Sequence, residues 1–187
     1  MTNWCQNRLE VHGNARLLMA WRAAQRGPSP DYGPRIQDLS FHAQLPVPRE
    51  VMARGYGTGG LPELHRAIQI QAGQQDPTPH LPLERAAWQA AYWGSSRDAD
   101  DVTFTEGPEQ LVLSFATAWA PPIPWLEAVA ALWPALNFEL RSIEPGNELY
   151  VHMRLESGNI VSLDERAPTL QDLQDWGYDL DEESPGT

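Results

Sequence analysis

The chain has no lysine; all 13 of its basic residues are arginine. That removes Schiff-base lysines, lysine general bases and the lysine of a phosphate-binding loop. Cysteine is nearly absent as well. The single thiol, Cys5, excludes an intrachain disulfide and a cysteine-cluster metal site, and it suits a reducing compartment. No apolar run reaches the roughly 20 residues needed to span a bilayer. The N-terminal MTNWCQNRLE lacks the basic-then-apolar pattern of a signal peptide, so no membrane association and a cytoplasmic location are expected. No nucleophile with its base, paired carboxylates or metal-ligand cluster can be assembled from motif spacing. The chain is therefore expected to be non-enzymatic, without cofactor or metal.

What is present is acidic and aromatic. Of the net charge of −12, only −3 falls in residues 1–138, whereas residues 139–187 carry 12 acidic and 3 basic side chains, a net of −9. Such a field repels nucleic-acid phosphates and favours basic partners, which argues against direct nucleic-acid binding. Eight tryptophans and 42% hydrophobic residues point to a folded, aromatic-rich interior, and 187 residues suffice for one sizeable core.

The densest local signal lies in 111–138. Leu111, Leu113, Phe115, Thr117 and Trp119 alternate with smaller residues as a strand. Pro121, Pro122 and Pro124 then set a helix start, Trp125, Leu126, Val129, Ala130 and Trp133 follow at helical spacing, and Pro134 ends it. At the N-terminus, 4–12 alternates as a strand, with Asn14 placed to cap a helix over 14–26. Residues 28–60 are rich in proline and glycine, with LSFHAQLPVP as a possible edge strand. Helices fit LPELHRAIQIQAG and LERAAWQAAYW. Residues 102–105 and 111–118 form a hairpin. A second hairpin joins 136–143 to 149–155, with Glu144, Pro145, Gly146 and Asn147 suited to a type II turn.

This order is the split βαβ logic of a ferredoxin-like α+β fold: an antiparallel sheet with helices on one face and a mostly helical insertion, about 28–100, after the first strand-helix unit. The domain is expected to span 1–166, followed by an acidic tail, 167–187. Asn3-Trp4-Cys5-Gln6-Asn7-Arg8-Leu9 opens a series of further motifs. It continues with Leu45-Pro46-Val47-Pro48 before Glu50, Tyr92-Trp93-Gly94 before Asp101-Val102, and the run Phe115-Ala116-Thr117-Ala118-Trp119-Ala120-Pro121-Pro122 before Trp125. Glu144-Pro145-Gly146 closes it. Across 2–158 this series resembles the YubB-like family of bacteriophages, conjugative plasmids and genomic islands. The resemblance implies a ferredoxin-like domain and transfers no catalytic residue.

Several constellations invite a chemical reading. Gly55, Gly57 and Gly60 satisfy G-x-G-x-x-G, but no buried strand precedes them, so loop flexibility is expected. His12, His42, His65, His80 and His152 lack metal spacing. Asp98, Asp100 and Asp101 read as a solvated turn rather than a calcium loop, and Cys5 as a core thiol. The tryptophans at 88, 93, 119, 125 and 133 read as an aromatic core, one or two of them possible anchors at an interface. The tail alternates acidic and aromatic residues, and Asp172, Asp175, Trp176, Tyr178, Asp179, Asp181, Glu182 and Glu183 are the candidate partner-binding set. The function expected is an acidic interaction protein of a mobile genetic element, of the anti-defence or polyanion-mimicking inhibitor kind, that engages a basic host protein surface. The alternative is a nucleic-acid-binding or enzymatic module working from the open sheet face.

Overall fold

The computed structural model describes residues 3–58 and 60–178. Strand β1 (Trp4–His12) buries Cys5, Asn7, Leu9 and Val11 on one face. Asn14 accepts the Leu17 amide at 3.0 Å and starts α1 (Ala15–Gln25), which turns Leu18 and Trp21 inward. The insertion follows: the two-residue strands β2 (Gly27–Pro28) and β3 (Ile36–Gln37), then α2 (Phe41–Gln44), α3 (Arg49–Ala53), α4 (Leu61–Gln71) and α5 (Arg85–Trp93). The chain then returns through β4 (Asp100–Glu106), β5 (Gln110–Ala118), α6 (Ile123–Leu132), β6 (Asn137–Glu144), β7 (Leu149–Glu156), β8 (Asn159–Arg166) and α7 (Leu170–Asp175).

The main sheet is antiparallel throughout, in the order β4-β5-β1-β6-β7-β8. The N-terminal strand β1 thus fills the centre, paired with β5 on one side and β6 on the other. This is the ferredoxin-like arrangement of two interleaved βαβ units, extended beyond β6 by two strands. One face of the sheet, with Leu9, Val11, Leu113, Phe115, Phe138, Leu140, Val151 and Met153, is covered by α1 and α6. Trp21 of α1 lies 6.0 Å from the Phe138 ring, and Trp125 of α6 lies 4.5 Å from Phe41. Phe41 also meets Phe115 and Trp93 edge-on, so the insertion shares the sheet's core. Gly94 ends α5 at φ +85°, where a Cβ would lie 2.9 Å from Pro124 and crowd the Pro121 carbonyl. Only glycine allows the helix end to pack so closely on the turn that leads into α6. No helix among the described residues is long and apolar enough to cross a membrane.

Four expectations are corrected. The LSFHAQLPVP stretch forms helix α2, not an edge strand, because the Asp98 carboxylate accepts the Phe41 amide at 2.6 Å and the Ser40 hydroxyl at 2.8 Å. Residues 145–147 form a 3₁₀ turn instead of a type II turn. Glu144 accepts the Gly146 amide at 3.0 Å, and Glu148, rather than Gly146, takes the left-handed conformation at φ +53°. Asp98 is fully buried, not solvated. Trp119 is 46% exposed rather than part of the core.

Candidate functional site

The acidic C-terminal quarter is built around a strand that its sequence conceals. Ser157 and Gly158, at φ +52° and +77°, form a two-residue turn with both residues left-handed, the geometry whose twist matches a β-hairpin. β8 leaves that turn, pairs with β7 and becomes the sheet's edge. Ile160, Val161 and Leu163 stay 42–51% exposed. The register skips at Val161, a bulge that locally twists this edge.

The end of β8 is tied to α7 by arginine. Arg166 donates to Asp172 at 2.6 Å and to Asp164 at 3.2 Å, and its guanidinium covers the Tyr150 ring at 4.2 Å. Thr169 and Asp172 form a reciprocal capping box at the start of α7. The Arg166 guanidinium and the Thr169 hydrogen bonds hold the Asp172 carboxyl well below the usual carboxylate range. Asp172, expected to face a partner, is therefore used internally. Asp175 is exposed and accepts from Gln171 at 2.7 Å. Trp176 and Tyr178 are half-buried, and burial, with Cys5 and Glu144 nearby, pushes the Tyr178 hydroxyl pKa up. Asp179, Asp181, Glu182 and Glu183 lie outside the described residues.

The surface gains two acids that the sequence reading did not single out, Asp164 and Glu165 on β8. The Ser157–Gly158 pair could have signalled their strand. All three arginines after residue 138 already have carboxylate partners: Arg141 with Glu139, Arg154 with Glu156, and Arg166 with Asp164 and Asp172. Glu165 and Asp175 have no ion-pair partner among the described residues, so the edge presents net negative charge.

The other candidates resolve into structural roles. Cys5 is buried, and desolvation pushes its thiol up to about 12, which keeps it inert. Beside it the buried Asn7 amide donates to Thr117 at 2.8 Å and to the Cys5 carbonyl at 3.0 Å, while Ser142 donates to its oxygen at 2.8 Å. This network joins β1, β5 and β6. His42 accepts the Val47 amide at 3.1 Å, and burial lowers its pKa. His152 lies 2.9 Å from Glu139. Among the described residues no three His, Cys, Asp or Glu side chains gather where they could hold a metal ion. The sheet face opposite the helices carries Arg8, Arg141 and Arg154, each paired with a glutamate on the same strand. Trp88, Trp93 and Trp125 are core residues, and Trp133 is half-buried with its indole donating to Gln44 at 3.1 Å.

A comparison with curated proteins finds no match. Among solved structures, the chain is similar to the protein api92 from Yersinia pseudotuberculosis, with a TM-score of 0.52 and 12% identity over 90% of this chain and 99% of that one. At that identity the likeness concerns the fold. The family model described as a ferredoxin-like domain in Api92-like protein matches residues 88–181, more than half of the chain, from α5 through α7. The chain thus belongs to the family of ferredoxin-like domains found in Api92-like proteins.

Proposed function

We propose that this chain is a non-enzymatic binding protein that takes an extended, basic segment of a partner protein along the β8 edge and the adjoining α7. The observation that carries this reading is the edge itself. Eight residues in sequence are solvent-accessible and three apolar side chains are half-exposed, with Asp164, Glu165 and Asp175 around them. An open edge offers backbone donors and acceptors to an incoming strand, and flanking charge selects its sign. A second copy of the chain is disfavoured because each carries −12. The resemblance to YubB-like proteins of mobile elements extends the proposal: the partner is a nucleic-acid-binding or defence enzyme of the host cytoplasm, whose cationic groove this surface occupies in place of a polyanion. The arginines on the opposite sheet face are neutralised in place, which favours the edge over that face as the binding surface.

The test is capture of the partner from host extract, with salt elution, by the full chain and by the Asp164→Asn/Glu165→Gln variant. Binding is expected to weaken several-fold in the variant at low ionic strength and to converge with the full chain at high salt. Equal capture at every salt concentration would remove β8 from the interface. A chain lacking residues 178–187 separates the tail's contribution from that of the edge.

A further inference from the structure

The glycine loop after α3 does something its motif does not suggest. Gly55 and Gly57, at φ +78° and +70°, fold the chain over the start of α5, where the Gly55 and Tyr56 carbonyls accept the amides of Arg85 at 3.1 Å and Ala86 at 2.9 Å. Tyr56 is thereby fixed against two guanidinium groups, with Arg85 5.2 Å and Arg97 5.6 Å from its ring centre. Together with Asp31, these side chains line a cavity of 150 Å³, room for several water-sized groups.

Around this cavity a buried donor, Arg85 Nε, and a buried acceptor, Gln89 Oε1, both go unmatched among the described residues. Asp31 pairs with Arg85 at 3.1 Å and also accepts the Gln89 amide and the Asp98 backbone amide, each at 2.9 Å, so its carboxylate is held by three donors. Arg85 spends another nitrogen on the Pro30 carbonyl at 2.6 Å, but its buried Nε–H has no acceptor among the described residues. Arg97 donates through Nε to the Tyr56 hydroxyl at 3.4 Å and has no carboxylate within ion-pair reach among the described residues. Accepting that bond leaves the Tyr56 hydroxyl proton free to donate. Among the side chains that line the cavity, two guanidinium groups face one carboxylate, with Asp98 and Asp100 further off beside Tyr32. Unmatched buried donors cost stability, and planar guanidinium forks match oxyanions in charge and geometry.

Tyr56 also lines a larger, mainly apolar cleft of 470 Å³, together with Leu64, Ile68, Ala87, Ala90 and Trp119. Trp119 is half-exposed and sits at φ +72°, a conformation a tryptophan adopts only when its surroundings impose it. We propose that Arg97, Arg85 and Tyr56 form a binding site for the oxyanion of a small phosphate monoester, whose apolar portion lies across Tyr56 in the cleft towards Trp119. The site binds and is not catalytic, and it is independent of the β8 edge.

The probes are inorganic phosphate and phenyl phosphate, each titrated into the full chain by calorimetry against chloride at equal ionic strength. Inorganic phosphate is expected to bind saturably with a dissociation constant of about a millimolar, and phenyl phosphate more tightly. Arg97→Gln should weaken both about tenfold or more, Tyr56→Phe should weaken both several-fold without disturbing the fold, and Arg154→Gln on β7 should change neither. Trp119→Ala should erase the advantage of the phenyl group alone. Non-saturable phosphate binding, or binding unchanged in both Arg97→Gln and Tyr56→Phe, overturns the site. Phenyl phosphate binding no tighter than phosphate overturns its extension into the cleft.

Discussion

Asp98 shows how one side chain sets the structure of a distant segment. Its carboxylate accepts from Ser40, Phe41 and its own neighbour Ala99, and so starts α2 from across the fold. Burial raises its pKa from an ordinary 3.8 to about 6, with the hydrogen bonds limiting the rise. Between those values the folded chain binds the proton that the unfolded chain has released. Asp98 therefore contributes most stability below about pH 4 and loses it as the pH rises through 6. Asp172 works in the opposite sense: its lowered pKa adds stability above the usual carboxylate range that is lost as the pH falls. The two are separated by comparing the wild type with Asp98→Asn in urea denaturation. The stability difference between them should shrink by up to about 3 kcal/mol from pH 4 to pH 7. At pH 7 Asp98→Asn should still destabilise by about 1–3 kcal/mol, because an amide presents donors to donors, and the cost should be larger at pH 4. The tryptophans offer a second contrast at this scale. Trp125→Ala, in the fully buried cluster with Phe41, should cost about 3–5 kcal/mol. Trp119→Gly, which relieves a left-handed backbone at an exposed residue, should change stability by less than about 1 kcal/mol in the same denaturation assay.

Among the elements, α7 depends on its cap. Thr169→Ala removes half of the capping box and should cost the short helix about 1 kcal/mol. Hydrogen exchange should then quicken at the Leu173 and Trp176 amides while β6 and β7 keep their protection; equal protection in the variant would show that Arg166 alone holds the helix. Elements whose signal is local were legible in the sequence. The alternation of β1, β5, β6 and β7, the Asn14 cap, the prolines before α6 and Gly94 after α5 all act within a few residues. Elements decided at a distance were not. Nothing near Phe41 says that Asp98, 57 residues later, will accept its amide. β8 escaped for a different reason. As an exposed edge it has no buried face, so the alternation that marks a strand is weak, although Ser157–Gly158 carried the turn. The surface proposed to meet a partner was read in part from the sequence. Asp175, Trp176 and Tyr178 stand where an acidic-aromatic run placed them, whereas Asp172 is claimed by Arg166 and the edge acids Asp164 and Glu165 went unnoticed. The pocket at Tyr56 was not legible at all, because its lining comes from four separate segments.

Across the whole molecule, charge is divided in the way the proposed function requires. The ferredoxin-like sheet and its insertion share one core, and most of the −12 sits in the last quarter of the chain, on and after the outermost strands. Self-repulsion on that scale adds nothing to folding, whereas under the proposed function it would steer a cationic partner and raise its association rate at low salt. The absence of lysine makes this testable in a direct way. Carbodiimide joins carboxylates to amines, and this chain's side chains supply none, so apart from any bond to an α-amino group, amide bonds formed on its carboxylates in a captured complex come from the partner's lysines. The deciding measurement is the mass-spectrometric map of those bonds on the full chain. The account expects them at Asp164, Glu165 and Asp175 and expects them to disappear when salt dissociates the complex. Bonds confined to carboxylates of the insertion, such as Glu50 or Asp76, or a map unchanged by salt, would contradict it.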